Sequence, residues 1–138
     1  MIFLPRFDLD QVIAALPRAT TMMGVPTFYT RLLAESRFDA AACAGMRLFI
    51  SGSAPLLAET HRLFEERTGH RILERYGMTE AGMITSNPYD GERVAGTVGY
   101  PLPGVRARVA DDQGRELPRG EPGVLEIQGP NVFRGYWQ

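Results

Sequence analysis

Three short apolar runs alternate with helical patterns in the first part of the chain, and this alternation most constrains the fold. The runs cover residues 20–25, 46–51 and 71–75, and each is followed by a turn that contains glycine or proline. Helical patterns begin at Pro26 and at Leu56, between the runs. Strands that alternate with helices are typical of a parallel sheet covered by helices. The sequence therefore predicts an α/β fold in which ligands bind beyond the carboxyl ends of the strands.

The helices are predicted from their caps and from apolar spacing. A helix over residues 8–16 has Asp8 as its N-cap and ends at Pro17. A stronger helix starts at Leu56 and is closed by Gly69. Its apolar stripe is predicted to consist of Leu56, Leu57, Thr60, Leu63 and Phe64.

The pattern changes after about residue 87, where proline and glycine become frequent. Short β-like runs cover residues 105–110 and 124–128, and the Asp-Asp-Gln-Gly sequence at 111–114 is a hairpin signal. We expect part of a small antiparallel β-barrel here, following the helix-covered, mostly parallel sheet. The predicted domain division is residues 1–95 and residues 96–138.

Composition and charge exclude several classes of protein. A chain of 138 residues has room for one hydrophobic core. Its net charge of −1 argues against nucleic acid as a partner. Cys43 is the only cysteine, which excludes an internal disulfide and a cysteine zinc cluster. No apolar stretch approaches the ~18 residues of a membrane helix, so we expect no membrane span and a cytoplasmic location.

The chain contains no lysine, because all 15 of its basic residues are arginine. A mechanism that needs a lysine ammonium group, such as a P-loop or a Schiff base, cannot be complete within this chain. His61 and His70 are the only histidines, and His61 lies in the middle of the predicted helix without a second histidine at helical spacing, so a metal site there is not expected.

The five residues from Tyr76 to Glu80 carry the most chemistry. Tyr76 beside Gly77 offers a flat aromatic face on which a planar base can stack. Thr79 offers a hydroxyl for a phosphate oxygen, and Glu80 offers a carboxylate for Mg²⁺. The alternative is structural: a strand end that turns into a helix, with Thr79 as N-cap and Glu80 in the first turn.

A second candidate is the turn that follows Ser51. Gly52 permits close approach of the backbone, and the helix after Pro55 presents free N–H groups to a bound anion. A plain strand-to-helix turn explains the same residues equally well. A hydrolase nucleophile elbow is excluded, because Pro55 stands where that motif has its second glycine.

Taken together and in this order, the two turns resemble the adenylate-forming superfamily of acyl-CoA synthetases, luciferases and peptide-synthetase adenylation domains. The resemblance covers essentially the whole chain and is carried by residues 51–55, 74–80, 96–99, 101, 103–104, 120–127, 129–132 and 135–137. Residues 24–33 and 85–89 are similar to the malonyl-CoA synthetase branch of that superfamily.

The resemblance implies a two-step reaction with ATP, Mg²⁺ and coenzyme A. A carboxylic acid, here malonate or methylmalonate, attacks the α-phosphate of ATP to give an acyl-adenylate and pyrophosphate. The thiol of CoA then displaces AMP. Thr79 and Glu80 are implied as catalytic residues, with Glu80 as the Mg²⁺ ligand.

The resemblance also implies the binding residues. The nucleotide would be held by Gly52, Ser53, Ala54, Pro55, Glu74, Arg75, Tyr76, Gly77, Met78 and Thr79. The acyl group would be bordered by Val25, Pro26, Thr27, Arg75, Met78, Gly96, Thr97 and Gly99. Because malonate carries a second carboxylate, Arg75 is predicted to bind it, with a surface pair to Glu74 as the alternative; Arg106 or a residue outside this chain is another possible partner for the carboxylate.

Some parts of the family pattern are not found in this sequence. The phosphate loop with its lysine, the ribose-binding aspartate, the hinge and the domain with the adenylation lysine are expected in flanking segments of the same enzyme. We therefore interpret the chain as an internal fragment of the large domain of a ligase, inactive by itself. The alternative is a non-catalytic nucleotide-binding or interaction module derived from this family.

Overall fold

Five strands form one sheet whose spatial order is the same as their order in the sequence. The computed structural model describes residues 1–137. The strands are β1 (Thr21–Gly24), β2 (Leu48–Ser51), β3 (Leu73–Met78), β4 (Gly82–Ser86) and β5 (Tyr100–Pro101). β1, β2 and β3 are parallel, whereas β4 and β5 are added antiparallel. The predicted α/β class with a mostly parallel sheet is confirmed.

Three helices lie in this part of the chain, and the last two of them connect the parallel strands, as the sequence predicts. They are α1 (Leu9–Ala15), α2 (Pro26–Leu33) and α3 (Ala58–Thr68). The Asp8 carboxylate caps α1 by accepting the amide of Gln11 at 3.0 Å. The α-helix ends at Ala15, and a 3₁₀ segment that includes Pro17 follows it over Leu16–Arg18. No helix in the described part of the chain has the length and apolar character needed to cross a membrane.

An aromatic cluster forms the core on the helix-covered side of the sheet. Phe64 of α3 is fully buried and meets Phe49 of β2 edge-on, with 4.9 Å between ring centroids. Tyr29 of α2 contacts the ring of Phe64, with 5.5 Å between the ring centroids, and the Tyr29 hydroxyl donates to the carbonyl of Ile50. Burial of the ring holds the pKa of Tyr29 above its ordinary value. α2 and α3 are thereby fixed against β2, just below its carboxyl end.

The apolar stripe predicted for α3 is partly wrong. Leu57 and Leu63 are exposed, at 69% and 47%, whereas His61 and Thr68 are buried. The helix starts at Ala58, two residues later than predicted, and Leu57 precedes it as the N-cap residue. His61 is accommodated in the core because its Nε2 hydrogen-bonds to the carbonyl of Ile72 at 3.0 Å.

The chain reverses direction after β3 instead of entering a helix. Thr79 and Glu80 form the turn between β3 and β4, so the prediction of Thr79 as a helix N-cap is wrong. The register shifts between Tyr76 and Gly77, which is the irregularity that a β-bulge produces. The physical reason is that β4 pairs with β3 immediately, and this pairing satisfies the backbone groups that a helix would otherwise use.

Two further strands form a separate antiparallel pair, β6 (Arg106–Ala110) and β7 (Val124–Gln128). Part of a β-barrel is predicted for this region, and residues 1–137 contain this two-stranded sheet there and no closed barrel. The larger sheet extends beyond residue 95, because β5 at Tyr100–Pro101 pairs with β4. The domain division after residue 95 stays a prediction.

Candidate functional site

The carboxyl ends of the three parallel strands meet at one edge of the sheet. The register aligns Gly24, Ser51 and Glu74 across β1, β2 and β3. The residues that follow β1 and β2 at this edge are those predicted for the acyl group and the nucleotide, namely Val25, Pro26, Thr27, Gly52, Ser53, Ala54 and Pro55. Parallel sheets bind ligands at this edge, so the fold brings the two predicted groups together.

The turn after β2 has an unusual backbone. Ser53 has a φ of +68° and is the one non-glycine residue with positive φ among residues 1–137. This conformation costs energy for a residue with a side chain, and such residues cluster at binding sites. Gly52 lies against β3, since a Cβ added to it would be 3.4 Å from the carbonyl oxygen of Arg75. The turn therefore packs onto β3 at Gly52, while the side chain of the next residue, Ser53, is exposed.

β3 extends past the end of β2, and this extension places Arg75 and Tyr76 on opposite faces of the sheet. Tyr76 is 36% exposed and lies on the face that carries Glu74. Arg75 lies on the other face, where its Nη2 is 2.9 Å from the sulfur of Met23. No ion pair within the described residues includes Arg75. The alternative pair between Arg75 and Glu74 is therefore wrong.

Glu74 has a buried side chain that joins two loops. Its Oε1 accepts the backbone N–H of Gly96 at 3.2 Å, and the backbone N–H of Leu56 is near enough to the carboxylate to lower its pKa. Burial raises the pKa of Glu74 above its ordinary value, and the two backbone donors partly oppose the increase. The side chain thus holds the loop before α3 and the loop that contains Gly96 in fixed positions.

Asn87 contributes to the site although it is not among the predicted binding residues. Its Nδ2 donates to the carbonyls of Glu74 at 3.2 Å and of Thr97 at 2.7 Å. Its Oδ1 accepts the N–H of Val94 at 3.2 Å. A signal is present in the sequence: an asparagine between a strand and Pro88 is typical of a side chain that bonds to its surrounding loop.

The loop over residues 94–99 brings Gly96, Thr97 and Gly99 back to the sheet. Gly99 has a φ of +76°, and a Cβ there would lie 2.1 Å from the carbonyl oxygen of Ser86. Only glycine permits this approach of the loop to the end of β4. The predicted acyl residues on this loop are consequently adjacent to β3 and β4.

The Thr79–Glu80 turn forms the tip of the β3–β4 hairpin. Gly77 permits this hairpin, because a Cβ at Gly77 would be 2.4 Å from the carbonyl oxygen of Gly82. Within the turn, the N–H of Ala81 donates to the carbonyl of Met78 at 3.2 Å. Thr79 is exposed and Glu80 is partly exposed. The two residues predicted to bind phosphate and Mg²⁺ therefore lie side by side beyond the end of β2.

The segment after β7 contacts this tip. The N–H of Phe133 donates to the carbonyl of Glu80 at 2.8 Å, and Nδ2 of Asn131 donates to the carbonyl of Ala81 at 2.7 Å. The hydroxyl of Tyr136 donates to Oε1 of Glu80. This bond holds the pKa of Glu80 below its usual value and raises the pKa of Tyr136. No single residue pattern in the sequence signals these contacts.

The residues at this edge fit a nucleotide with a divalent cation. Two buried hydroxyls, those of Ser51 and Thr85, have no hydrogen-bond partner within residues 1–137, and the register places both on the face of Tyr76. Such groups provide hydrogen-bonding capacity beside an aromatic face. No group of three potential metal ligands occurs in the described part of the chain. A Mg²⁺ ion at Glu80 would thus be shared with phosphate oxygens, as is usual for this ion.

Comparison with known proteins relates the whole arrangement to CoA ligases. A crystal structure of ATP-bound MatB from Rhodopseudomonas palustris superimposes with a TM-score of 0.97 at 62% identity, over 100% of this chain and 28% of that one. A malonyl-CoA ligase in a ternary product complex with methylmalonyl-CoA and AMP gives a TM-score of 0.82 at 43% identity, over 95% of this chain and 29% of that one. The malonate–CoA ligase of Arabidopsis thaliana is 44% identical over 126 residues, which cover 86% of this chain and 20% of the relative.

These relatives are far longer than the chain, which spans 20% to 29% of their lengths. The family model for AMP-binding enzymes matches residues 1–137, which include both turns, the hairpin tip and the segment after β7. The match and the shared fold agree, and the chain belongs to the AMP-binding enzyme family.

Proposed function

We propose that the chain is part of an ATP-dependent acyl-CoA ligase that activates malonate or methylmalonate and transfers the acyl group to CoA. The observation that carries this proposal is the hairpin tip: Thr79 and Glu80 stand beyond the sheet edge at which Tyr76 and the Gly52–Pro55 turn lie. In this reading the full-length ligase, meaning the longer polypeptide that contains this segment, supplies the phosphate loop, the ribose-binding aspartate and the adenylation lysine.

Each residue has a defined task in the first half-reaction. Tyr76 stacks on the adenine, with residues 52–55 on the other side of the base. Thr79 donates its hydroxyl to a phosphate oxygen, and Glu80 would hold the Mg²⁺ ion. The metal ion, when bound, neutralises charge on the pyrophosphate leaving group. One carboxylate oxygen of the acid forms a bond to the α-phosphorus while the bond to pyrophosphate breaks.

The acid is proposed to lie where β1 ends. Val25, Pro26 and Thr27 border it on one side, and the loop with Gly96, Thr97 and Gly99 borders it on the other. Arg75 pairs with the second carboxylate of malonate, and Met78 lines the pocket. In the second half-reaction the sulfur of CoA bonds to the acyl carbon and AMP leaves. The cytoplasmic location remains a prediction, since another relative, the malonate–CoA ligase ACSF3 of Mus musculus, is named as mitochondrial.

The proposal is tested by ATP–pyrophosphate exchange with a panel of carboxylic acids. We expect the full-length ligase to exchange label with malonate or methylmalonate and much less with monocarboxylic acids. The isolated 138-residue chain, which has no lysine, is expected to show none. Exchange by the isolated chain would refute its interpretation as a segment of a larger ligase. A full-length protein that binds ATP without exchange would favour the non-catalytic nucleotide-binding module.

The role of Glu80 is tested by separating the two half-reactions. Glu80→Gln in the full-length ligase is expected to lower the adenylation rate at least about tenfold, because loss of a residue that only supports a metal ligand already costs about that much. Thioester formation from pre-made acyl-adenylate should change much less, because pyrophosphate has already left. Equal losses in both half-reactions would mean that Glu80 has a structural role only.

A further inference from the structure

The carboxylate of Glu80 lies on a turn that does not fix its direction by itself. The turn contributes one backbone hydrogen bond, from Ala81 to Met78, and this bond leaves the Glu80 side chain free to rotate. A partly exposed glutamate has several accessible rotamers. A metal ligand that must be ordered at each turnover binds the ion more weakly than one already in place.

The segment after β7, which is distant in the chain, orders the Glu80 side chain. Phe133 and Asn131 bond to the backbone of Glu80 and Ala81, which fixes the position of the turn. Tyr136 then bonds to the side chain itself, through its hydroxyl and Oε1 of Glu80. The ring of Tyr136 is held edge-on against Phe133, with 4.9 Å between centroids and an angle of 80° between the planes. The position of the turn is thus set by Phe133 and Asn131, and the direction of the Glu80 carboxylate is set by Tyr136.

We propose that Tyr136 is a positioning residue: its hydroxyl holds Oε1 of Glu80 so that Oε2 faces the cation bound with ATP. This inference rests on the proposed role of Glu80 and adds a residue to it. Within residues 1–137, no other side chain hydrogen-bonds to the Glu80 carboxylate. The bond leaves Oε2 without a side-chain partner in the described residues, and a single oxygen is sufficient for a Mg²⁺ ion that also binds phosphates.

The test measures the affinity of a cation directly and does not depend on turnover. Binding of Mn²⁺ to the full-length ligase with α,β-methylene-ATP is followed by electron paramagnetic resonance. Tyr136→Phe removes the hydroxyl and retains the ring packing against Phe133. We expect Mn²⁺ to bind about three- to tenfold more weakly, less than the full value of a charged hydrogen bond because the site is in contact with water. Tyr89→Phe, at an exposed tyrosine in the loop after β4, is the matched control and should bind Mn²⁺ normally.

A double-mutant cycle with Glu80→Gln separates the possible failures. If Tyr136 acts through Glu80, Tyr136→Phe should change Mn²⁺ affinity little in the Glu80→Gln background. Multiplicative losses, or normal Mn²⁺ affinity in Tyr136→Phe while Glu80→Gln is impaired, would overturn the positioning role and leave the proposed function intact. Normal affinity in Glu80→Gln would instead refute the metal-binding role of Glu80. An unchanged melting temperature of Tyr136→Phe is expected throughout.

Discussion

Arg75 provides the most informative test of substrate choice, because it lies on the face of β3 opposite the one proposed to bind the nucleotide. Its guanidinium is on the side of β3 opposite Tyr76, and its contact there is the sulfur of Met23, which is a weak hydrogen-bond acceptor. Glu74 is not its partner, since that carboxylate accepts the amide of Gly96 instead. The guanidinium therefore retains donors for a carboxylate at the end of β1.

The expected magnitude follows from this geometry. A hydrogen bond to a charged group contributes about 1.5–3 kcal/mol, and a guanidinium can form two such bonds to one carboxylate. Arg75 is partly exposed, so we take the value of a single bond, which corresponds to a change of about 10- to 100-fold. Arg75→Met keeps a long apolar stem beside Met23 while it removes the charge and the donors.

The assay compares kcat/KM for malonate and for butyrate in the full-length ligase. Arg75→Met should lower kcat/KM for malonate by the factor above and leave that for butyrate unchanged or improved. Arg71→Met is the matched control, because Arg71 forms a surface ion pair with Glu65 at 2.7 Å. A decrease of the same size with both acids would refute the reasoning, and the second carboxylate would then be bound elsewhere.

Three further predictions concern the supports of the site, all in the full-length ligase. Gly77→Ala should lower adenylation more than tenfold, because the added Cβ would lie 2.4 Å from the carbonyl oxygen of Gly82. Gly45→Ala is the control and should be active, because a Cβ at Gly45 would have no atom within 4 Å. Equal activities of the two variants would refute the requirement for close approach at Gly77. Phe64→Ala should cost about 3–5 kcal/mol of unfolding free energy in urea, and a loss below about 1 kcal/mol would contradict the assigned core. Because burial raises the pKa of Glu74, the folded state binds its proton more tightly, so the free energy of unfolding should fall as pH rises from about 4.5 through that raised pKa. Glu74→Gln should remove this pH-dependent part, and identical pH profiles of the two proteins would exclude it.

The parallel part of the fold could be predicted because its signals are local. An apolar run that stops at Gly52 or Pro26 predicts a buried strand followed by a helix, and the structure has α2 after β1 and α3 after β2. The turn at Gly52 could likewise be placed at the edge of the sheet where the parallel strands end, whereas the turn predicted after Arg75 is wrong, because β3 continues to Met78. Pattern and topology are sufficient for this part of the site.

The turn at Thr79 and Glu80 shows where local signals fail. A threonine followed by a glutamate has the composition of a helix start, and only the pairing of β4 with β3 selects a hairpin. The same limit applies to the faces of β3. The sequence makes Arg75 and Tyr76 neighbours, but the alternation of side chains in a strand separates them, and the bulge at Gly77 then changes the alternation beyond Tyr76.

Glu74, Asn87 and Tyr136 show a second limit. Their roles depend on contacts with residues that are distant in the chain: the bond of Asn87 to Glu74 spans 13 positions and that of Tyr136 to Glu80 spans 56. Hydrophobic periodicity carries no information about such polar contacts. An asparagine before a proline indicates a loop bond, but the sequence does not say which loop.

The contacts at the hairpin tip also have a consequence for the order of events during synthesis. Asn131 is 50 residues beyond Ala81, and Tyr136 is 56 residues beyond Glu80. At about 5–20 residues per second, the β3–β4 hairpin leaves the ribosome roughly three to ten seconds before the residues that hold its tip. The sheet edge with Tyr76 can form during this interval, whereas the carboxylate of Glu80 acquires its fixed direction only later. A nascent chain halted near residue 125 would therefore possess the aromatic face of the sheet edge but not the ordered carboxylate of Glu80.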